Sequence, residues 1–93
     1  MTEQPERQRC AITTRAAVTT RIEARLAGRL TDAALAAWAF DRFYAQELGS
    51  EEFEAGGEMV IAHALDMLMF GDEPDFRLDE EELRALVAQL GTL

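Results

Sequence analysis

Residues 58–70 read EMVIAHALDMLMF, the most apolar stretch of the chain, and they predict its central helix. At about 100° per residue, apolar side chains cover more than half of the circumference of this helix. These side chains are Val60, Ile61, Ala64, Leu65, Met67 and Leu68. A helix that is apolar on most sides packs against several neighbours, so we expect the remaining elements to surround it.

Three other helices are predicted by their start and stop signals. One covers residues 14–27, and a second begins after the N-cap residue Thr31 and ends near residue 48. The last begins at Asp79, because Asp79 and Glu82 have the spacing of a capping box. Between the second and third helices, residues 50–57 form an acidic connection that has room for one helical turn.

A glycine follows each of the four helical stretches, as expected where a chain leaves a helix in the left-handed conformation. These glycines are Gly28, Gly49, Gly71 and Gly91. We therefore predict an all-α fold, a compact bundle of four short helices formed by residues 13–93 as a single domain. Residues 1–12 are expected to be a flexible, disordered N-terminal tail.

The periodicity of the apolar residues also predicts which side chains form the core of the bundle. They are Val18, Ile22, Leu26, Leu35, Trp38, Phe43, Ile61, Leu65, Leu68, Leu83, Leu86, Val87 and Leu90. Phe76 stands alone among charged residues in the connection before the last helix. We expect its ring to fold back into the core and anchor that connection.

The second helix carries a second apolar arc that the core face does not use. Phe40, Tyr44 and Ala37 lie on this arc, which Asp41 and Glu47 separate from the first. Two interpretations are open, since both arcs can pack inside a small bundle, or the aromatic arc can be exposed as an anchor for a partner.

Charge is distributed unevenly along the 93 residues, which carry a formal net charge of −9. Residues 1–30 contain six arginines and three glutamates, a net charge of +3, whereas residues 31–93 have a net charge of −12. So acidic a body repels the phosphate backbone, which argues against nucleic-acid binding and favours a basic protein partner.

The acidic residues that we expect to bind a partner fall into three groups along the chain. They are Glu51, Glu52 and Glu54 in one connection, Asp72, Glu73 and Asp75 in the next, and Glu80 and Glu81 at the start of the last helix. A solvated surface that only keeps the protein in solution is the alternative interpretation. As a binding surface, such carboxylates accelerate association and determine specificity.

Residue types needed for catalysis or for a metal site are scarce. The single histidine, His63, lies three residues before Asp66. Two potential ligands on one helix are weak evidence for a metal site. The single cysteine, Cys10, excludes an intrachain disulfide, and no glycine-rich phosphate loop is present. We therefore expect no enzymatic activity, no cofactor and no metal.

Residues 12–90 resemble small bacterial helical proteins that act as immunity proteins of polymorphic or contact-dependent toxin systems. The resemblance rests on Trp38 in an alanine-rich helix, on the ending Phe70-Gly71-Asp72 of the central helix, and on the acidic start of the last helix. It implies a small inhibitor that caps a basic partner such as a toxin. The alternatives are a structural or regulatory subunit that self-associates, for example as a homodimer, and a phage-type inhibitor that imitates nucleic acid.

The sequence also suggests where the protein acts. The N-terminus has no apolar signal region, and no run approaches the roughly 20 apolar residues that span a bilayer. We expect a cytoplasmic protein that does not enter a membrane.

Overall fold

Four helices account for most of residues 11–91, the part of the chain that the computed structural model describes. In chain order the elements are β1 (Ala11–Thr13), α1 (Arg15–Leu26), α2 (Asp32–Glu47), β2 (Glu51–Phe53), α3 (Glu58–Leu68) and α4 (Glu80–Leu90). The predicted all-α bundle of four helices is confirmed, with one addition, a short sheet of two strands. Residues 1–10, most of the predicted tail, lie outside the described residues.

Side chains cap the starts of α1, α2 and α4, and the caps at Thr31 and Asp79 are the predicted ones. Thr14 and Thr31 each accept a hydrogen bond at Oγ1 from the backbone N–H three residues later, at 3.0 Å. At the start of α4, Asp79 and Glu82 form the predicted capping box, in which each side chain accepts from the backbone of the other residue. These contacts satisfy N–H groups that have no partner within the first turn of a helix.

Two of the four predicted glycine terminators adopt the left-handed conformation. Gly28 has a φ of +81° and Gly49 a φ of +83°, and both follow a helix whose last carbonyls accept the returning N–H groups of a Schellman motif. Gly71 and Gly91 do not have a positive φ, so the prediction was wrong for them. The third glycine with a positive φ is Gly56, which precedes α3.

The core lies between α3 and the other helices, as predicted. Nine of the thirteen predicted core residues are buried, and Leu26, Trp38, Phe43 and Val87 are partly buried and pack against them. Phe76, by contrast, is 61% exposed, so the prediction that it anchors its loop in the core was wrong. Leu78, two residues later, is buried in its place.

The sheet pairs the start of the described chain with the acidic connection that follows α2. β1 and β2 are parallel, with Ile12 opposite Glu52, and the backbone N–H of Glu54 donates to the carbonyl of Thr13 at 2.9 Å. Ala11 and Ile12 are thus strand residues rather than part of a tail. Residues 51–53 form a strand, in the connection where the sequence leaves room for one helical turn.

The helices run alternately up and down between two ends of the molecule. At the strand end, the guanidinium of Arg15 at the start of α1 donates to the carbonyl of Leu90 at the end of α4, at 3.2 Å. At the loop end, Arg25 near the end of α1 pairs with Asp32 at the start of α2, at 2.5 Å. No helix within residues 11–91 is long and apolar enough to cross a membrane.

Candidate functional site

One face of α2 carries an apolar stripe that no other element covers completely. Its residues recur at spacings of four, three, four and four positions, which places them on one side of the helix. They are Ala33, Ala37, Phe40, Tyr44 and Leu48, and all five are exposed. We call this set the outer stripe. A stripe with this spacing is the kind of surface against which a second helix packs.

Phe40 and Tyr44 form the centre of the outer stripe. Their ring centroids are 4.5 Å apart, and each residue is 48% exposed. The ring of Phe43, which is partly buried, lies 6.3 Å from that of Tyr44 and supports the pair from the core side. Of the two interpretations of this arc, packing inside the bundle is therefore wrong, and the aromatic pair is exposed.

The outer stripe continues into the acidic loop that connects α3 to α4. A cavity of about 230 Å³ lies here, between Phe40 and Asp41 on α2 and Met69 and Asp72 of the loop. The structure thus brings together Phe40 of the aromatic pair and Asp72, two candidate residues that are far apart in the sequence. Glu73 and Asp75 follow on the same loop and are exposed.

A second apolar hollow lies beside this loop. Its volume is about 360 Å³, and it is lined by Asp66, Met67, Phe70, Phe76 and Leu78. The rings of Phe70 and Phe76 are 6.1 Å apart and both are exposed. The loop end therefore offers exposed aromatic side chains with carboxylates beside them, an arrangement typical of a protein-binding surface.

The loop carboxylates are not neutralised within the described chain. Of the arginines near this end, Arg25 and Arg77 both pair with Asp32, at 2.5 and 3.6 Å, and Arg29 pairs with no described carboxylate. Among residues 11–91, no arginine lies within ion-pair distance of Asp72, Glu73 or Asp75. Their negative charge faces solvent and is available to a cationic partner.

Glu51, a predicted partner-binding residue, is instead part of the internal structure. Its side chain is only 10% exposed, accepts a hydrogen bond from Thr13 Oγ1 at 3.0 Å, and pairs with the guanidinium of Arg42. The carboxylate thereby joins β1, β2 and α2. A carboxylate with both oxygens engaged within the molecule is not free to bind a partner.

Glu54 also has an internal role. Its Oε1 accepts from the backbone N–H of Arg15 at 2.8 Å and from Arg15 Nε at 3.3 Å. The backbone hydrogen bond, followed by the hydrogen bond from the guanidinium, lowers the pKa of the Glu54 carboxyl below its ordinary value. Glu52 lies between these two residues, is exposed, and has no ion pair among the described residues.

The remaining predicted acidic residues lie at the start of α4. Glu80 and Glu81 are exposed, and Glu80 pairs with Arg84 one turn later at 3.4 Å. Three glutamates occupy this first turn, where negative charge stabilises a helix through its dipole. These residues therefore have a structural role, and their position next to the acidic loop adds to the negative charge of the loop end.

The structure does not place the acidic residues on one continuous surface. The eleven residues of α3 separate residues 51–54 from the loop, a distance of about 16 Å at 1.5 Å per residue. Of the three predicted acidic groups, the loop group is the one with a residue, Asp72, beside Phe40. Sequence reasoning missed Ala33, Leu48 and Met69 as members of this face. The spacing of Leu48 from Tyr44 was the available signal.

The structure shows no arrangement typical of a metal centre among the residues it describes. His63 is exposed on α3, and no group of three or more potential ligands is positioned to hold an ion within residues 11–91. Comparisons of the chain with protein-family models, with curated proteins and with solved structures find no match.

Proposed function

We propose that this protein is a binding module that recognises a basic protein through the outer stripe of α2 and the adjoining acidic loop. The observation that carries the proposal is the cavity in which Phe40 from α2 meets Met69 and Asp72 from the loop. At this cavity the outer stripe, with its exposed aromatic side chains, adjoins the loop, with its unpaired carboxylates. Aromatic side chains often supply much of the binding free energy at interfaces, and carboxylates select the partner.

Charge argues for a basic partner rather than for a second copy of this chain. Asp41 and Glu47 flank the outer stripe, and Asp72 closes one end of it. If two copies packed stripe to stripe, these carboxylates would approach one another and their repulsion would oppose association. A partner helix with arginine or lysine beside its apolar residues would satisfy the same carboxylates.

The resemblance of residues 12–90 to immunity proteins makes the proposal more specific. In this form, the protein is an inhibitor that caps a basic toxin and blocks its active site. A cytoplasmic location and the lack of enzymatic activity belong to the same proposal. A phage-type inhibitor that imitates nucleic acid would need extended rows of carboxylates. The inward-facing Glu51 and Glu54 interrupt such a row, so we favour recognition of a protein surface.

Site-specific photo-crosslinking in the native host tests the proposal. A photoreactive phenylalanine analogue replaces Tyr44 in one variant and Ala16, an exposed residue of α1, in a control. We expect position 44, but not position 16, to crosslink to a protein with an isoelectric point above about 9, since that value marks a strongly basic surface.

The same crosslink is then measured in two backgrounds with equal changes in net charge. Asp72→Lys with Asp75→Lys should abolish it, whereas Glu23→Lys with Glu52→Lys should leave it unchanged. Equal crosslinking from positions 44 and 16, or equal loss in both backgrounds, contradicts the proposal. A crosslinked dimer of this chain would support the self-associating alternative.

A further inference from the structure

A cleft on the other side of α2 brings two arginines next to the only tryptophan of the chain. Its volume is about 340 Å³, and Thr20, Arg21, Trp38, Arg42 and Ile12 contribute to its lining. This volume is within the range of sites that hold small molecules, about 300 to 1,000 Å³. The cleft shares no lining residue with the two cavities of the loop end.

Arg21 is available to a ligand in this cleft. Its guanidinium carbon lies 5.2 Å from the centre of the Trp38 ring, a cation–π contact, and no described carboxylate lies within ion-pair distance of it. Five other arginines of the described chain each pair with a carboxylate. Arg29 is likewise unpaired among the described residues but does not line the cleft, so Arg21 is the unpaired cation at this site.

Arg42 supplies the second cation and has unused donor capacity. One of its terminal nitrogens donates to Glu51, while its Nε is buried and has no hydrogen-bond partner among the described residues. A buried donor without a hydrogen-bond partner is destabilising. A ligand oxygen that accepts a hydrogen bond from the Arg42 guanidinium would remove this cost. Arg21 and Arg42 together with Glu51 leave one positive charge at the cleft, which matches one negative charge on a ligand.

We propose that this cleft binds a small carboxylic acid with an apolar body. The carboxylate lies between Arg21 and Arg42, whose planar guanidinium groups suit its two oxygens. Thr20 also lines the cleft and carries a hydroxyl that can donate a hydrogen bond. The apolar body contacts the indole of Trp38 and the side chain of Ile12. A phosphate dianion exceeds the single surplus charge and offers nothing to the indole, so we expect it to bind less well.

Trp38 makes this proposal directly measurable, because its indole N–H gives the only tryptophan side-chain resonance in a nitrogen–proton correlation spectrum of the full chain. Benzoate, the neutral isostere benzamide and inorganic phosphate serve as probes. We expect a saturable shift of the indole resonance with benzoate, and binding at least about tenfold weaker for benzamide, the difference that one charge-assisted hydrogen bond contributes.

The Arg21→Gln variant should weaken benzoate binding by about tenfold for the same reason, with Arg21→Lys intermediate. Arg29→Gln is the matched control, because Arg29 is exposed, has no described carboxylate partner and does not line the cleft. Arg21 is itself exposed, so its replacement should leave the fold intact. Because Arg21 lies over the indole, the free resonance of each variant is the starting point of its own titration.

The proposal is overturned if the indole resonance does not move with benzoate, or if benzoate and benzamide bind with equal affinity. Equal loss of benzoate affinity in Arg21→Gln and Arg29→Gln also overturns it. Phosphate that binds more tightly than benzoate assigns the cleft to phosphoryl groups and likewise overturns it. None of these results bears on the outer stripe, so this proposal and the proposed function fail separately.

Discussion

The carboxylate of Glu51 forms an ion pair with the guanidinium of Arg42 and thereby connects strand β2 to helix α2. Its other oxygen accepts from Thr13 on β1, so a single side chain connects three elements. Because Glu51 is almost entirely buried, the loss of its charge leaves the cation of Arg42 without its partner in a poorly solvated place.

We predict that Glu51→Gln lowers the free energy of unfolding by about 2 kcal/mol, the scale for disrupting a largely buried charge-assisted hydrogen bond. Chemical denaturation of the purified protein measures the change. Glu52→Gln is the matched control on the same strand, and we expect it to change stability by less than about 0.5 kcal/mol, because Glu52 is exposed. Equal effects of the two substitutions would show that Glu51 has no internal role.

A second prediction concerns pH and follows from the lowered pKa of Glu54. A carboxyl with a lower pKa in the folded than in the unfolded state stabilises the fold above its unfolded pKa, about 4.3 for glutamate. This contribution is lost as the pH falls through the lowered, folded-state pKa. The stability advantage of the wild type over Glu54→Gln should therefore be largest near neutral pH and should shrink steadily below about pH 4.3.

Denaturation of both proteins from pH 7 to pH 3 measures this advantage, and Glu52→Gln again serves as the control for general acid effects. A difference between wild type and Glu54→Gln that stays constant over this range would mean that the Arg15 contacts do not favour the ionised carboxylate in solution.

Features determined by neighbouring residues were predictable from the sequence, and features determined by distant pairs were not. Thr14, Thr31 and Asp79 start helices because each side chain bonds an N–H three residues away, so the signal is contained in one turn. The apolar periodicity of α3 and α4 is equally local. These signals sufficed for the four helices and for most of the core.

The role of Glu51 was not predictable in this way, because it depends on Thr13, 38 positions earlier in the chain. In the sequence, Glu51 is one of several adjacent acids, and nothing local distinguishes it from the exposed Glu52. The proximity of Phe40 to Asp72 was not predictable either, because it depends on how α2 packs against α3. The aromatic arc and the acidic loop were each visible beforehand, but their proximity was not.

A third prediction concerns the stability of the outer stripe. Because Phe40 and Tyr44 are half-exposed, replacing either with alanine should lower the free energy of unfolding by only about 1 kcal/mol. Ile61→Ala, in the fully buried core of α3, is the comparison, and we expect it to lower the free energy of unfolding by about 3 kcal/mol. Thermal melts compare the three variants. Losses at Phe40 and Tyr44 as large as that at Ile61 would mean that the aromatic pair belongs to the core.

A defined probe tests whether α2 and the acidic loop together form a site for basic protein surfaces. The probe is a helical peptide with a leucine stripe flanked by arginines, and its counterpart carries glutamates instead. Nitrogen–proton correlation spectra of the labelled protein report which backbone amides shift, and titrations at low and high salt give the affinity. Salt should weaken binding, because it screens exposed charges.

We predict that the arginine peptide shifts amides of the outer stripe and of residues 69–75, and that the glutamate peptide does not. Asp72→Lys with Asp75→Lys should weaken binding about tenfold and reduce its salt dependence, whereas the charge-matched Glu23→Lys with Glu52→Lys should change the affinity little. Equal weakening by the two double variants, or shifts spread over the whole acidic surface, would contradict the claim, because binding would then reflect net charge alone.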